Sequence, residues 1–252
     1  MIDSHSHLFF DGFDDDRTET LERARAAGVE AHIIVGIDVE SSHAARAMAQ
    51  SYEFMYPTAG IHPNHASEQG PDHWIEMESL LASGDFVAVG ESGLDFFRDR
   101  TPKDEQAKAL SRHIDWARRF DLPLILHCRD AQDAMLSQLE SEGMGVRGIM
   151  HCFSGNRDDL ARALALDFDI SFAGPRTYPK NDELRACCTA TPIDRIHIET
   201  DCPFLPPQFK RGKRNEPAFM TSLLEKVAEC VGKSVKEMNE QTTRNTRRLF
   251  RI

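Results

Sequence analysis

Short apolar runs alternate with longer amphipathic stretches along this chain. The runs have the length and the flanking turn residues of buried strands, and they predict eight strands at residues 2–7, 32–37, 57–62, 86–91, 123–127, 148–151, 169–172 and 195–199. The stretches between them carry apolar residues at helical spacing, and they predict helices that include residues 17–27, 41–52, 103–120, 130–140, 156–166, 217–230 and 235–249. Strands and helices therefore alternate through the sequence.

Eight strands alternating with helices within 252 residues predict an α/β fold of the (β/α)8, or TIM, barrel type. No linker rich in glycine, serine or proline divides the sequence, so we expect one domain over residues 1–252. A doubly wound open sheet is the alternative. Such a sheet normally has a glycine-rich phosphate-binding turn after its first strand, and SHSHLFFDG is not such a turn.

The composition is ordinary for a globular protein, with 40% hydrophobic and 28% charged residues, but the formal net charge is -11. This charge argues against broad electrostatic attraction to nucleic acid or an anionic membrane, although a locally positive site can still hold one phosphate at a time. No apolar run approaches the length of a membrane span, and Asp3 and His5 interrupt the N-terminus where a signal peptide would be apolar. We therefore expect a cytoplasmic protein with no membrane partner.

The cysteines show no CxxC spacing and no small disulfide framework, so free and mostly buried thiols are expected. They are Cys128, Cys152, Cys187, Cys188, Cys202 and Cys230.

Residues that can ligate metals recur at the ends of the predicted strands. His5 and His7 lie two positions apart, and side chains at that spacing on a strand point to the same face. In a barrel, catalytic residues gather at the carboxyl ends of the strands, so residues distant in sequence can meet there. The candidate metal ligands are His5, His7, Glu91, His127, His151 and Asp201.

These four imidazoles and two carboxylates suit zinc, magnesium, manganese or a similar divalent ion. Six ligands are too many for one tetrahedral ion, but they suit two ions that share a bridging ligand. A carboxylate is the natural bridge because it has two oxygens, and Glu91 is the central candidate. The other histidines outside the motifs below, His32, His43, His73, His113 and His197, are expected to be structural.

Seven segments, in order, closely resemble the signature segments of the TatD-type metal-dependent hydrolases, also called TatD deoxyribonucleases. They are IDSHSHL, GIHPNH, GESGLDF, LILHCRDA, MHCFSG, IETDCPFL and RGKRNEP. The resemblance implies a TIM barrel with a pair of divalent ions that hydrolyses phosphodiester bonds of DNA, often from an end. It also implies that His5, His7, Glu91 and Asp201 hold one ion, and that Glu91, His127 and His151 hold the other.

This resemblance predicts attack on DNA by a metal-bound hydroxide at a binuclear site, with Asp201 and Glu91 as the catalytic residues. Asp201 would hold the attacking water and accept its proton, while Glu91 would bridge the ions. The expected partner is nucleic acid, as single strands or ends, and no obligate protein partner is evident. The metal identity stays open.

Four residues are candidates for contacts with phosphate or the leaving oxygen: His62, Arg129, Lys213 and Arg214. Lys213 and Arg214 belong to the densest basic run, which follows the eighth predicted strand, where barrels often bind phosphate. Arg129 can alternatively pair with Asp130 or Asp133. Several aromatic side chains offer stacking faces for bases or simply pack: Phe10, Phe96, Phe97, Tyr178 and Phe204.

Two other functions stay open. One is hydrolysis of a different bond on the same scaffold, either a C–N bond or an ester such as that of aminoacyl-tRNA. Barrels that act on C–N bonds frequently use a carboxylated lysine on the fourth strand, and FVAVGES offers Glu91 and no lysine there. The other is a metal-binding or nucleic-acid-binding protein without enzymatic activity, for which we would expect a larger basic surface.

Overall fold

The computed structural model describes residues 1–98 and 100–252. Its eight strands are all parallel and form one sheet in which each strand pairs with the next in the sequence. They are β1 (Ile2–Ser6), β2 (Ala31–Val35), β3 (Met55–Ala59), β4 (Ala88–Asp95), β5 (Leu124–Arg129), β6 (Gly148–Met150), β7 (Phe168–Phe172) and β8 (Ile196–Ile198). The prediction of a (β/α)8 barrel is confirmed.

The first and last strands meet and close the barrel through a seam that relies on few backbone bonds. The His7 N–H donates to the Cys202 carbonyl oxygen at 2.9 Å, and the Asp201 N–H donates to the His5 carbonyl oxygen at 2.9 Å. Polar side chains of β1 add to the seam, because the Ser4 hydroxyl donates to the Ile198 carbonyl oxygen at 3.0 Å. The buried Asp3 carboxylate accepts from the Thr200 N–H at 2.9 Å.

Nine α-helices are present in the described part of the chain. They are α1 (Arg17–Ala26), α2 (Val39–Ser51), α3 (Pro71–Ala82), α4 (Lys103–Phe120), α5 (Gln132–Glu142), α6 (Arg157–Ala165), α7 (Asp182–Ala190), α8 (Met220–Val231) and α9 (Val235–Phe250). Two of these helices, α3 and α7, were not among those predicted from the apolar pattern of the sequence. Each of the two helices buries only three side chains: Met77, Leu80 and Leu81 in α3, and Leu184, Cys187 and Cys188 in α7.

Several predicted boundaries differ from the structure. Strand β4 continues to Asp95 because it pairs with β5 as far as Asp95 and Arg129, so Glu91 lies in the middle of the strand and not at its end. Strand β6 ends at Met150, immediately before His151. The helix predicted over residues 217–230 begins as a short 3-10 helix, Pro217–Phe219, and continues as α8.

The end of the C-terminal helix packs against side chains from four strands of the barrel. Leu249 and Phe250 at the end of α9 belong to one apolar cluster with residues of β2, β4, β5 and β6, among them Ile33, Ile125 and Ile149. The six cysteines are free, and Cys187, Cys188 and Cys202 are fully buried. In the part of the chain that the structure describes, no helix combines the length and the apolar character needed to cross a membrane.

Candidate metal centre

Four ligand atoms from three parts of the chain form the first cluster of the site. His5 and His7 on β1 point the same way, and their Nε2 atoms lie 3.2 Å apart. Oδ1 of Asp201 lies 3.7 Å from the His5 Nε2 and 3.5 Å from the His7 Nε2. Oε2 of Glu91 lies 3.4 Å and 3.7 Å from the same two nitrogens. These distances describe a compact group of two imidazoles and two carboxylates.

A second cluster surrounds the other oxygen of Glu91. Oε1 lies 3.0 Å from Nδ1 of His127 and 3.1 Å from Nε2 of His151. The Nε2 atom of His62 lies 3.6 Å from the same oxygen. The carboxylate of Glu91 therefore faces one cluster with each oxygen, and the structure brings all six predicted ligands together with His62.

The chemistry of these side chains fits divalent metal ions. Two nitrogens that ligate one tetrahedral zinc ion at about 2.0–2.1 Å are separated by about 3.3 Å, close to the spacings in the first cluster. A ligand atom from each of His5, His7 and Asp201 lies within 4.8 Å of the others, and the same holds for His62, Glu91 and His127. Most of the ligands are almost completely buried, and buried groups of this kind need a partner.

The charges of the site favour ionised carboxylates. Burial acts to raise the pKa of Glu91, but His151, His62 and His5 outweigh it and hold that pKa well below its usual range. Burial acts to lower the pKa of His151, but the charges of Glu91 and Glu199 outweigh it and raise that pKa well above its usual range. In the absence of other cations, His151 therefore binds a proton that a metal ion would have to displace.

Two carboxylates that the sequence analysis did not select as site residues orient the ligand rings. Oε1 of Glu199 accepts a hydrogen bond from the Cys152 N–H at 2.6 Å and lies 3.1 Å from Nδ1 of His151. Oδ2 of Asp95 lies 3.4 Å from Nε2 of His127. Both residues stand within motifs quoted above, IETD and GESGLDF, at even spacing from a ligand on an extended segment. That spacing from a ligand was the feature of the sequence that could have identified them as partners of the ligand rings.

One glycine allows β4 and β5 to carry their ligands side by side. Gly93 pairs with His127 and has a φ of +136°, which side chains other than that of glycine rarely adopt. A Cβ at this position would lie 2.0 Å from the His127 carbonyl oxygen. Glycine is therefore required where the backbone that carries His127 passes β4.

The basic candidates for phosphate contact occupy different environments. The guanidinium of Arg129 lies over the Phe97 ring, 3.7 Å from its centroid, while Asp133 pairs with Arg162 at 2.9 Å. Arg214 forms an ion pair with Asp16 at 2.7 Å. Lys213, its neighbour in the sequence, is exposed. The guanidinium of Arg214 is thus already engaged by a carboxylate, whereas that of Arg129 stacks on an aromatic ring.

Comparison with known sequences identifies the family of this chain. The sequence model described as TatD related DNase matches residues 2–251. The chain belongs to the TatD family. This confirms the resemblance drawn from the seven motifs, and a member of this family is a metal-dependent hydrolase.

Individual TatD-family relatives match over their full lengths. The chain is 38% identical over 253 residues to the uncharacterized metal-dependent hydrolase YabD of Bacillus subtilis, covering 100% of this chain and 99% of YabD. It is 35% identical over 259 residues to the 3'-5' ssDNA/RNA exonuclease TatD of Pectobacterium parmentieri, covering 100% of both. The crystal structure of the TatD homologue YjjV from Escherichia coli superposes with a TM-score of 0.95, at 29% identity, covering 100% of this chain and 98% of YjjV.

Proposed function

We propose that this protein hydrolyses phosphodiester bonds of single-stranded DNA or RNA, working inward from an end. The observation that carries the proposal is the position of Glu91, whose two oxygens each adjoin a separate group of imidazoles. Paired ions about 3.5–4 Å apart are typical of enzymes that cleave phosphate esters. The name of the relative TatD from Pectobacterium parmentieri, a 3'-5' ssDNA/RNA exonuclease, supports the same substrate class and a 3' starting end.

We assign the ligands by the two clusters. His5, His7, Glu91 and Asp201 would hold one divalent ion, and Glu91, His127 and His151 the other. When bound, such ions stabilise negative charge on phosphoryl oxygens and lower the pKa of a water molecule towards neutrality. Their four positive charges exceed the two negative charges of Glu91 and Asp201, so the loaded site attracts a phosphodiester despite the acidic surface.

Asp201 is the residue of the chain that we place at the proton transfer. Burial acts to raise its pKa, but the hydrogen bond with His7 and the charges of His151 and His5 outweigh it, so the carboxylate stays ionised. Its side chain is still 11% exposed, which lets it contact a water molecule. An ionised carboxylate in this position orients the attacking water and accepts its proton.

The remaining candidates surround these ligands. His62 lies against Glu91 at 3.6 Å and is placed to contact a phosphate or the leaving oxygen. Burial lowers the pKa of His62 to about 3, so at neutral pH it is an uncharged imidazole that offers a hydrogen bond and no charge. Arg129 and Lys213 are the proposed cationic contacts. Arg214 can join them only if it exchanges its ion pair with Asp16.

The test is hydrolysis by purified protein loaded with magnesium, manganese or zinc. Substrates are end-labelled single-stranded DNA, duplex DNA, RNA and charged tRNA. We expect shortening of single strands from the 3' end, and Asp201→Asn should reduce the rate at least ~100-fold because both the proton acceptor and a candidate ligand of the first ion are lost. The exposed Asp72→Asn on α3 is the matched control and should cleave normally.

Two results would contradict the proposal. Wild-type activity in Asp201→Asn would remove this residue from the reaction. Cleavage of the charged tRNA ester without cleavage of DNA or RNA would show that another ester is the substrate of the same site.

A further inference from the structure

Exposed phenylalanines gather at the end of the barrel that carries the metal centre. Phe97 is 58% exposed and follows β4, and Phe204 is 51% exposed and follows β8. Leaving a large aromatic ring in water forgoes the free energy of burying it, so exposed rings beside a functional site are candidates for contact with a ligand. Phe54, which is 38% exposed, precedes β3 and therefore lies at the opposite end.

The ring of Phe204 continues an aromatic surface that begins at a metal-ligand candidate. The His7 ring stacks on Phe10 with centroids 5.3 Å apart, and Phe204 lies 5.8 Å from Phe10 and 6.1 Å from His7. The loop that carries Phe204 is fixed, because the Phe204 N–H donates to the Asp201 carbonyl oxygen at 2.8 Å. We call Phe10 and Phe204 the β8 face.

The ring of Phe97 is held beside the second cluster. The Phe97 N–H donates to Oδ1 of Asp95 at 3.0 Å, and the other oxygen of Asp95 lies 3.4 Å from His127. The guanidinium of Arg129 lies 3.7 Å from the centroid of the Phe97 ring on one side, and Phe97 as a whole remains 58% exposed. We call Phe97 and Arg129 the β4 face.

The two faces lie on opposite sides of the metal centre. In a sheet with strand order β1 to β8, the seam between β8 and β1 lies across the barrel from the pair β4 and β5. One face adjoins His7 and the other is linked to His127, so a phosphodiester held by both clusters would have its two nucleosides directed towards the two faces.

We propose that the β8 face and the β4 face each stack one unpaired nucleobase, one on either side of the phosphodiester that is cleaved. This inference rests on the proposed function and names its base-binding residues. Stacking accepts every base because each has a π face, and a cation over the ring, as at Arg129, adds to it. Two neighbouring bases that are paired and stacked within a duplex cannot separate to contact the β8 face and the β4 face. The arrangement therefore selects single strands.

The test compares two labelled strands that differ only in their bases. One is an ordinary single-stranded oligodeoxynucleotide, and the other carries abasic nucleotides at its two 3' terminal positions. Both strands carry phosphorothioate linkages, which slow cleavage, and affinities are measured by fluorescence anisotropy on manganese-loaded protein that keeps every candidate ligand. Phe97→Ala and Phe204→Ala should each lower the preference for the base-containing strand by roughly 5- to 150-fold, the equivalent of losing one stacked base.

Matched variants make the result specific. Phe204→Trp should retain the preference, and Phe54→Ala, an exposed phenylalanine at the other end of the barrel, should leave it at the wild-type value. A wild-type preference in both Phe97→Ala and Phe204→Ala would overturn the inference. Loss of affinity for both strands by the same factor would overturn it as well, because it would show that the rings do not contact the bases.

The binding measurement separates this inference from the proposed function. If wild-type protein cleaves no nucleic acid but the phenylalanine variants lose the preference for bases, the proposed hydrolysis is wrong and the inference of base stacking is supported. If single strands are cleaved and the preference does not depend on Phe97 or Phe204, the stacking faces alone are wrong.

Discussion

At the scale of residues, the two oxygens of the Glu91 carboxylate face different groups of imidazoles. A carboxylate placed in this way can join two cations, and an amide cannot, because only one of its two terminal atoms is an acceptor. The motifs and the predicted strand ends selected Glu91 and its five partners as candidates, although Glu91 lies within β4 and not at its end. They did not show which oxygen faces which nitrogen, since that depends on side-chain torsions, and they passed over Glu199 and Asp95.

We therefore expect Glu91→Gln to lose bound metal. Metal content per chain, measured by mass spectrometry after gel filtration, should fall from about two ions to one or none, and hydrolysis should fall at least ~100-fold. Glu105→Gln, an exposed residue in the first turn of α4, is the matched control and should retain both. Full metal content in Glu91→Gln would show that this carboxylate does not bridge two ions.

At the scale of elements, a buried histidine fixes α4 to the barrel. His113 accepts a hydrogen bond from the Ile61 N–H at 2.9 Å and donates to the Ala109 carbonyl oxygen at 2.7 Å, so it is uncharged with its proton on Nδ1. The sequence pattern placed His113 among structural histidines, and its contacts agree. It did not identify Ile61 as the partner, because that contact joins α4 to a loop 52 residues away in the sequence.

This histidine makes stability depend on pH. Burial lowers the pKa of His113 to about 4, whereas the unfolded chain binds a proton near the ordinary value of 6.5. Between these values the unfolded state carries more protons, so the free energy of unfolding falls as the pH falls, by ~2 kcal/mol at pH ~5 for this one group.

Urea unfolding at pH ~8 and pH ~5, in a chelator so that metal release does not contribute, should show the effect. His113→Gln should be less stable than wild type at pH ~8, because the fit of the ring and its two hydrogen bonds are disturbed. The decrease in its free energy of unfolding from pH ~8 to pH ~5 should be smaller than that of wild type by ~2 kcal/mol. Equal losses in the two proteins would show that His113 already carries a proton in the folded state.

At the scale of the whole molecule, the candidate ligands come from β1, β4, β5 and the segments that follow β6 and β8. The alternation of strands and helices predicted this convergence, because parallel strands in a barrel end at one face.

The pattern was less informative about α3 and α7, whose narrow or cysteine-containing apolar stripes resemble loops. Packing against neighbouring elements stabilises these two helices more than their own composition does.

Removing the ions should therefore destabilise the entire barrel. A ligand present at 1,000 times its dissociation constant adds ~4 kcal/mol to the stability of a folded state that alone binds it. We expect dialysis against a chelator to lower the melting temperature in calorimetry, and manganese or zinc to restore it. Glu91→Gln should respond much less to the same treatment, and an unchanged melting temperature in wild type would show that the ions do not link the strands.

The seam between the first and last strands has a consequence for synthesis. His5 and His7 are synthesised long before Asp201 and Cys202, which supply the backbone bonds that close the barrel. The first cluster is therefore incomplete until Asp201 has been synthesised, so we expect its ion to bind only as the barrel closes. Chains that stop before Asp201 should accordingly lack hydrolytic activity.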